Sequence, residues 1–160
     1  MTDEKKCPRK RIDIVTLKMI KETSTHYARR KVEIPDDAAE IFQELHQCCD
    51  REKFSVLCLD VKNHPTNLST ICIGGLDSSI VDPKKIFSLA LLSNSQKLII
   101  AHHHPSGDPT PSTEDIELTD RLKKAAELLG LQLIDHIILG DECFTSSANR
   151  WESTPLESLE

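Results

Sequence analysis

From Leu98 to Ala101 the chain is apolar at every position, and three consecutive histidines, His102 to His104, end the run. A run this short and this uniformly apolar fits a strand buried on both faces. A helix would need more residues and a polar stripe. A strand covered above and below needs a layer on each side, so this segment points to the centre of an α/β sandwich. Its surroundings agree. "DPKKIFSLALL" reads as a helix with Asp82 as cap and Pro83 at the first helical position. "TEDIELTDRLKKAAELL" is amphipathic and is stopped by Gly130. "DDAAEIFQELHQCC" sets Ala38, Ile41, Phe42 and Leu45 at helical spacing behind Asp36 or Asp37 as N-cap. Between the helices lie strand patterns. "KFSVLCLDV" and "LSTICIGGL" form a hairpin across Lys62–Asn67. "LQLIDHIILG" and "ECFTS" pair across Gly140-Asp141. "RIDIVTLKMI", residues 11–20, alternates loosely and reads as one more strand. The sum is an α/β sandwich around a mixed sheet.

At 160 residues with 38% hydrophobic and 29% charged composition, the chain suits one globular domain with a real core. No apolar run reaches membrane-spanning length, and the polar, basic start is unlike a secretory signal. The six cysteines form no C-x-x-C pair, and several lie in apolar runs. That usage predicts a reducing compartment, the cytoplasm. The net charge of −6 is uneven. Residues 1–31 hold ten Lys/Arg against four Asp/Glu, while the rest hold ten against twenty-two. The body is expected to repel nucleic acid, and the basic arm to attract it or to serve as a solvated tail.

The histidine row carries the chemistry. Strand alternation puts His102 and His104 on one face and His103 on the other. Pro105, Gly107, Pro109 and Pro111 then make a tight, stiff loop. It leads to Ser112, a good N-cap, with Asp115 at the third helical position. By itself that spacing is an ordinary capped helix with an acid in its first turn, worth about 1 kcal/mol. Combined with two same-face histidines it becomes a three-ligand set. Two nitrogens and a carboxylate suit Zn²⁺ and leave a fourth position for water. A catalytic histidine cluster without metal is the competing reading.

The residues also carry a resemblance. His102-x-His104, seven residues, Ser112, two residues, Asp115 is similar to the JAMM (MPN-plus) metalloprotease motif. The string "AHHHPSGDPTPSTEDIELT", with "LGLQLIDHIILGD", "DREKFSVLCLDVKN", "GGLDSSIVDPKKIF" and "IDIVTLKMIKE", resembles the RadC family across roughly Arg11 to Trp151. Departures are His103, where that family usually has Asn, and Asp82, where it more often has His. The resemblance implies a three-layer JAMM or cytidine deaminase-like fold. It divides the chain into a basic arm (1–10), the domain (11–152) and a flexible tail (153–160). It also implies one zinc on His102, His104 and Asp115, and hydrolysis of a peptide or isopeptide bond in a peptide or protein substrate. Glu52 is then the general base, and Ser112 the donor to the oxyanion, its lone pair capping the helix while its proton faces the site. The alternative is a non-catalytic, DNA-associated zinc protein that uses its basic arm in repair or recombination. A deaminase-like nucleic-acid enzyme fits less well, because the H-x-E…P-C-x-x-C signature is missing.

Other candidates read as structural. Gly74-Gly75 has no following Gly-Lys-Ser/Thr and reads as a bulge or turn. His136, in an apolar strand, reads as a satisfied core histidine and not a fourth ligand. His26, His46 and His64 read as surface groups, and Asp108 as a turn former. Ser78 and Ser79 line the site only if their loop approaches it. If His103 points away from the donors, His103→Asn should keep full metal content by elemental analysis. Loss of metal there, with retention in His102→Ala, would move the ligand register by one.

Overall fold

The computed structural model describes residues 11–28, 30–46, 51–74 and 81–156. Its elements are α1 (Pro35–His46), β1 (Lys53–Leu59), β2 (Pro65–Ile73), α2 (Pro83–Leu92), β3 (Lys97–His103), α3 (Thr113–Leu128), β4 (Gln132–Leu139), β5 (Cys143–Ser146) and β6 (Ser153–Pro155). The strands form one mixed sheet in the order β2-β1-β3-β4-β5-β6. β3 pairs antiparallel with β1 and parallel with β4, and all other neighbours are antiparallel. The apolar run is therefore central, and the parallel crossover from β3 to β4 is made by α3.

Alternation along the central strands builds a core on each face. Phe54, Val56, Cys58, Leu98 and Ile100 pack with Ile86, Phe87, Leu118 and Leu122 of α2 and α3. Leu57, Leu59, Ile99 and Ala101 pack with Ala38, Ile41 and Phe42 of α1. Helices thus cover both faces, giving the expected three layers. Burying a side chain of this size contributes about 1.5–3 kcal/mol, so the two-sided strands β1 and β3 anchor the fold.

The boundaries depart from the sequence reading in four places. Residues 11–20, read as a strand, pair with nothing among the described residues and stand exposed. Their alternation is present, but no sheet edge of the same chain receives it. The β1–β2 turn is shorter than expected, because β2 begins at Pro65. Asp60 closes the turn by accepting from the backbone N–H of Lys62 and His64. The cap assigned to Asp36 or Asp37 also differs. α1 starts at Pro35, and Asp37 reaches back to accept from the N–H of Glu33 and Ile34. Finally, Ser153–Pro155, within the stretch read as a tail, is strand β6 on the sheet edge. The helix caps at Asp82 and Ser112 and the stop at Gly130, which has φ +70°, match the sequence reading. The basic arm 1–10, Cys48, Cys49, Ser78 and Ser79 lie outside the described residues. Cys58, Cys72 and Cys143 are free thiols. No described helix is long and apolar enough to cross a membrane.

The loop after β3 is seated on the start of the β4–β5 turn. Gly140 packs against the Gly107 carbonyl and Pro109, and a Cβ there would overlap both. Asp141 N–H donates to the Gly107 carbonyl at 3.1 Å. Gly140→Ala should therefore cost about 1–3 kcal/mol through overpacking, read as a lower urea midpoint at unchanged m-value. Native-like stability in that variant would mean the loop moves aside freely.

Candidate metal centre

β3 delivers His102 and His104 to the α3 side of the sheet, at the carboxyl end of the strand. His102 is fully buried and its ring stacks on Phe54, its partner across the β1–β3 ladder. His104 lies one residue past the strand end, anchored by its N–H to the Leu139 carbonyl. Asp115 comes from the first turn of α3. The donor atoms converge: His102 Nε2 lies 3.0 Å from His104 Nε2 and 3.3 Å from Asp115 Oδ1, and His104 Nε2 lies 3.6 Å from Asp115 Oδ2. Among the described residues these three form the group able to hold a metal ion.

Hydrogen bonding decides which atoms of these groups are free. The Thr119 hydroxyl donates to the Asp115 carbonyl at 2.6 Å, so toward His136 it can only accept. His136 Nδ1, 2.6 Å from that hydroxyl, must carry the proton. His136 is completely buried, and burial, with the charge of His102 adding to it, pushes its pKa well down, so it is neutral. Its Nε2 is then bare and accepts from His102 Nδ1–H at 2.9 Å. His102 Nε2 is left with an unshared lone pair facing the site. His104 is set independently: its Nδ1–H donates to the Asp108 carbonyl at 2.8 Å, leaving its Nε2 bare as well.

Two lone pairs 3.0 Å apart, beside a carboxylate, repel unless a proton or a cation lies between them. The Asp115 contact pushes the His104 pKa up, against the opposing effect of burial, so a proton on His104 is the metal-free resolution. Burial instead pushes the His102 pKa down. Burial alone would raise Asp115, but the His102 and His104 rings that face it and the Ser112 hydroxyl bond outweigh it and hold its carboxyl well below the usual range. A cation resolves the same conflict for all three groups together. A tetrahedral site with bonds of about 2.0–2.1 Å has donor–donor edges of about 3.3–3.4 Å. The His102–His104 and His102–Asp115 Oδ1 edges, 3.0 and 3.3 Å, lie near that value, so the residues fit a tetrahedral metal.

The remaining sequence candidates fall as follows. His103 projects to the opposite face, its ring centroid 6.1 Å from that of His46. His46, read as a surface group, is instead buried, bonded to Ser55 at 2.9 Å, with a pKa lowered to about 3 by burial and then by His103. His136 lies outside the converging donor group and instead bonds His102 from behind. Asp108 forms the expected turn, accepting from the Thr110 N–H and hydroxyl. Ser112 caps α3 by accepting from Asp115 N–H, and its proton goes to Asp115 Oδ2 at 2.7 Å. Glu52 precedes β1 by one residue, and its charge opposes the burial that lowers His102 and His103 and adds to the rise of His104. Glu40 and Glu44, the next carboxylates in line, belong to α1 on the other face.

Three contributors escaped sequence reasoning. Thr119 stands four residues after Asp115, a spacing that marks one helix face but names no role. Asp135 ties β4 to the turn after β5, accepting from the hydroxyls of Ser146 and Ser147 and from Ala148 N–H. Trp151 meets the His136 ring edge-on, 5.5 Å between centroids. It is set there by a backbone in which both Arg150 and Trp151 have positive φ. Such non-glycine residues cost about 1–3 kcal/mol each and persist where the surroundings over-determine them.

If Thr119 locks the tautomers, Thr119→Val should weaken metal binding about 10–100-fold, and Thr119→Ser should restore it. Competition titration with a chromogenic chelator reads the affinity. Equal affinity in all three proteins would dismiss the lock.

Comparison with known proteins places this geometry. The profile of the family described as "RadC-like JAB domain" matches residues 32–152. A UPF0758 protein of Shouchella clausii is 46% identical over 126 residues, covering 79% of this chain and 55% of its own length. One from Desulfitobacterium hafniense is 41% identical over 128 residues, covering 80% and 56%. One from Caldanaerobacter subterraneus is 42% identical over 118 residues, covering 74% and 51%. The chain thus spans about half the length of these relatives.

Proposed function

Because the chain belongs to the RadC-like JAB domain family, we propose that it is a zinc-dependent hydrolase that cleaves a peptide or isopeptide bond with an activated water. The observation carrying this reading is the convergence of the His102 and His104 Nε2 atoms and the Asp115 carboxylate oxygens at 3.0–3.6 Å. Zinc held by His102, His104 and Asp115 would polarise the scissile carbonyl and acidify a water in its open position. The other tasks fall to the chain. Glu52 takes the proton from the attacking water and delivers it to the leaving nitrogen. Thr119 and His136 keep the His102 lone pair aimed at the site, and the Asp108 carbonyl does the same for His104. Ser112 holds Asp115 through both its N–H and its hydroxyl. Turning that hydroxyl toward the substrate gives the oxyanion a donor, while the Ser112 N–H keeps the carboxylate in place. Burial of His102 and Asp115 lowers the local dielectric and strengthens each of these contacts.

The second reading, a metal-holding protein without catalysis that binds nucleic acid through its basic arm, is favoured by the charge of residues 1–31. Glu52→Gln separates the two. It keeps size and polarity but takes no proton. The hydrolase reading expects unchanged zinc content and a loss of roughly 10²–10⁴-fold in turnover of isopeptide- and peptide-linked fluorogenic substrates. Equal turnover in both proteins, or a zinc-loaded native protein idle on the whole panel, would favour the non-catalytic reading.

A further inference from the structure

Two features of this chain are each incomplete and are complementary to one another. The first is the arm, residues 11–27, which stands exposed and belongs to no strand ladder among the described residues. Ile12, Ile14, Val15, Leu17 and Ile20 stand in solvent, Ile14 as fully as in a free peptide. Alternation puts Ile12, Ile14 and Ile20 on one side and Val15, Leu17 and Met19 on the other. A segment apolar on both sides is built for a sheet covered on both faces.

The second is the outer edge of β2. Of the sheet's two edges, β6 is only three residues long, a length that protects against pairing. β2 is nine residues long, half-exposed along most of its length, uncharged, and free of proline beyond its first residue. Its two irregularities against β1 fall toward its ends, at Thr66 and Ile71, and leave Asn67–Thr70 in regular register with no charge or proline to blunt the edge. It also offers apolar side chains to both layers: Leu68 packs on the α1-side core, and Ile71 and Cys72 on the α2 and α3 side. An added strand with apolar residues on both sides would extend both cores.

We propose that two copies of the chain exchange their arms, residues 11–20 of each pairing with the outer edge of β2 in the other. Three observations select a second copy as the occupant. Arm and edge occur once each per chain, so a reciprocal two-fold exchange satisfies both on both copies and leaves neither long edge open. A foreign strand would satisfy only one of them. The arm leaves the body at Val32, whose N–H bonds the Asn63 carbonyl in the β1–β2 turn, so its own edge is within reach, yet the arm does not lie on it. Charge points the same way. Residues 11–31 hold six Lys/Arg against two Asp/Glu, and residues 32–160 ten against twenty-two, so each arm is drawn to the other body.

Sedimentation equilibrium of the full chain, native against Ile14→Lys/Leu17→Lys, tests this together with amide exchange along β2. Both substituted residues are exposed and outside the packed body, so the domain should fold alike in both proteins. Expected are a mass of two chains for the native protein and one for the variant, with β2 amides exchanging roughly tenfold or more slowly in the native dimer. A native monomer with β2 protected would mean the arm folds onto its own edge. A native monomer with β2 unprotected would mean the arm serves another partner. A dimer that survives the double substitution would place the interface elsewhere. Each of these three overturns the exchange.

Discussion

Everything in this molecule hangs on the pairing of β3 at the middle of the sheet. Its bonds to β1 on one side and β4 on the other leave no free edge, and Leu98, Ile99, Ile100 and Ala101 are buried alternately into two cores. A one-residue slip would exchange every side chain between the layers, so the register is strongly specified. That register carries straight into the site. Because Ile100 faces α2 and α3, His102 must face them too, and His103 must face α1. The chemistry at the strand's end is thus held by the burial of its beginning.

The site is assembled from three elements that the sheet brings together. β3 supplies His102, α3 supplies Asp115 and Thr119, and β4 supplies His136 as the neighbour of β3 in the parallel pair. The α3 crossover that makes β3 and β4 parallel also sets the start of α3 against the end of β3. This is the general place for sites in α/β sheets, at the carboxyl ends of adjacent strands. The proton order then runs one way, from His136 to Thr119 and from His102 to His136, because the Thr119 hydroxyl is already committed to a helix carbonyl. A single backbone carbonyl, that of Asp115, therefore fixes the tautomers of two buried rings. The same residue contributes its carboxylate to the site.

Local patterns were read well where one residue type has one strong physical reason. Asp82 and Pro83 begin α2, Gly130 ends α3, and Ser112 with Asp115 makes a full capping box, because caps and breakers act within a few residues. The convergence of His102, His104 and Asp115 was legible for the same reason, since their spacing is fixed by a strand, a stiff loop and one helical turn. Reading failed where the outcome depends on distant partners. Residues 11–20 have strand periodicity, but periodicity does not create an edge to pair with. His46 looks polar and peripheral in sequence, yet helix packing buries it against Ser55.

By itself, then, the sequence determined the alternation of strands and helices, the centrality of the apolar run, and which three side chains could share a cation. These follow from short-range sterics, from periodicity and from the stiffness of a proline-rich loop. Only the tertiary structure decided that His136 sits behind His102, that Thr119 sets the direction of the protons, and that Trp151 closes against them. Those contacts join residues far apart in the chain, 34 between His102 and His136 and 17 between Thr119 and His136. Nothing local encodes such a meeting. It exists because parallel strands must be joined by a crossover, and the crossover helix carries its own first turns back to the end of the strand it left.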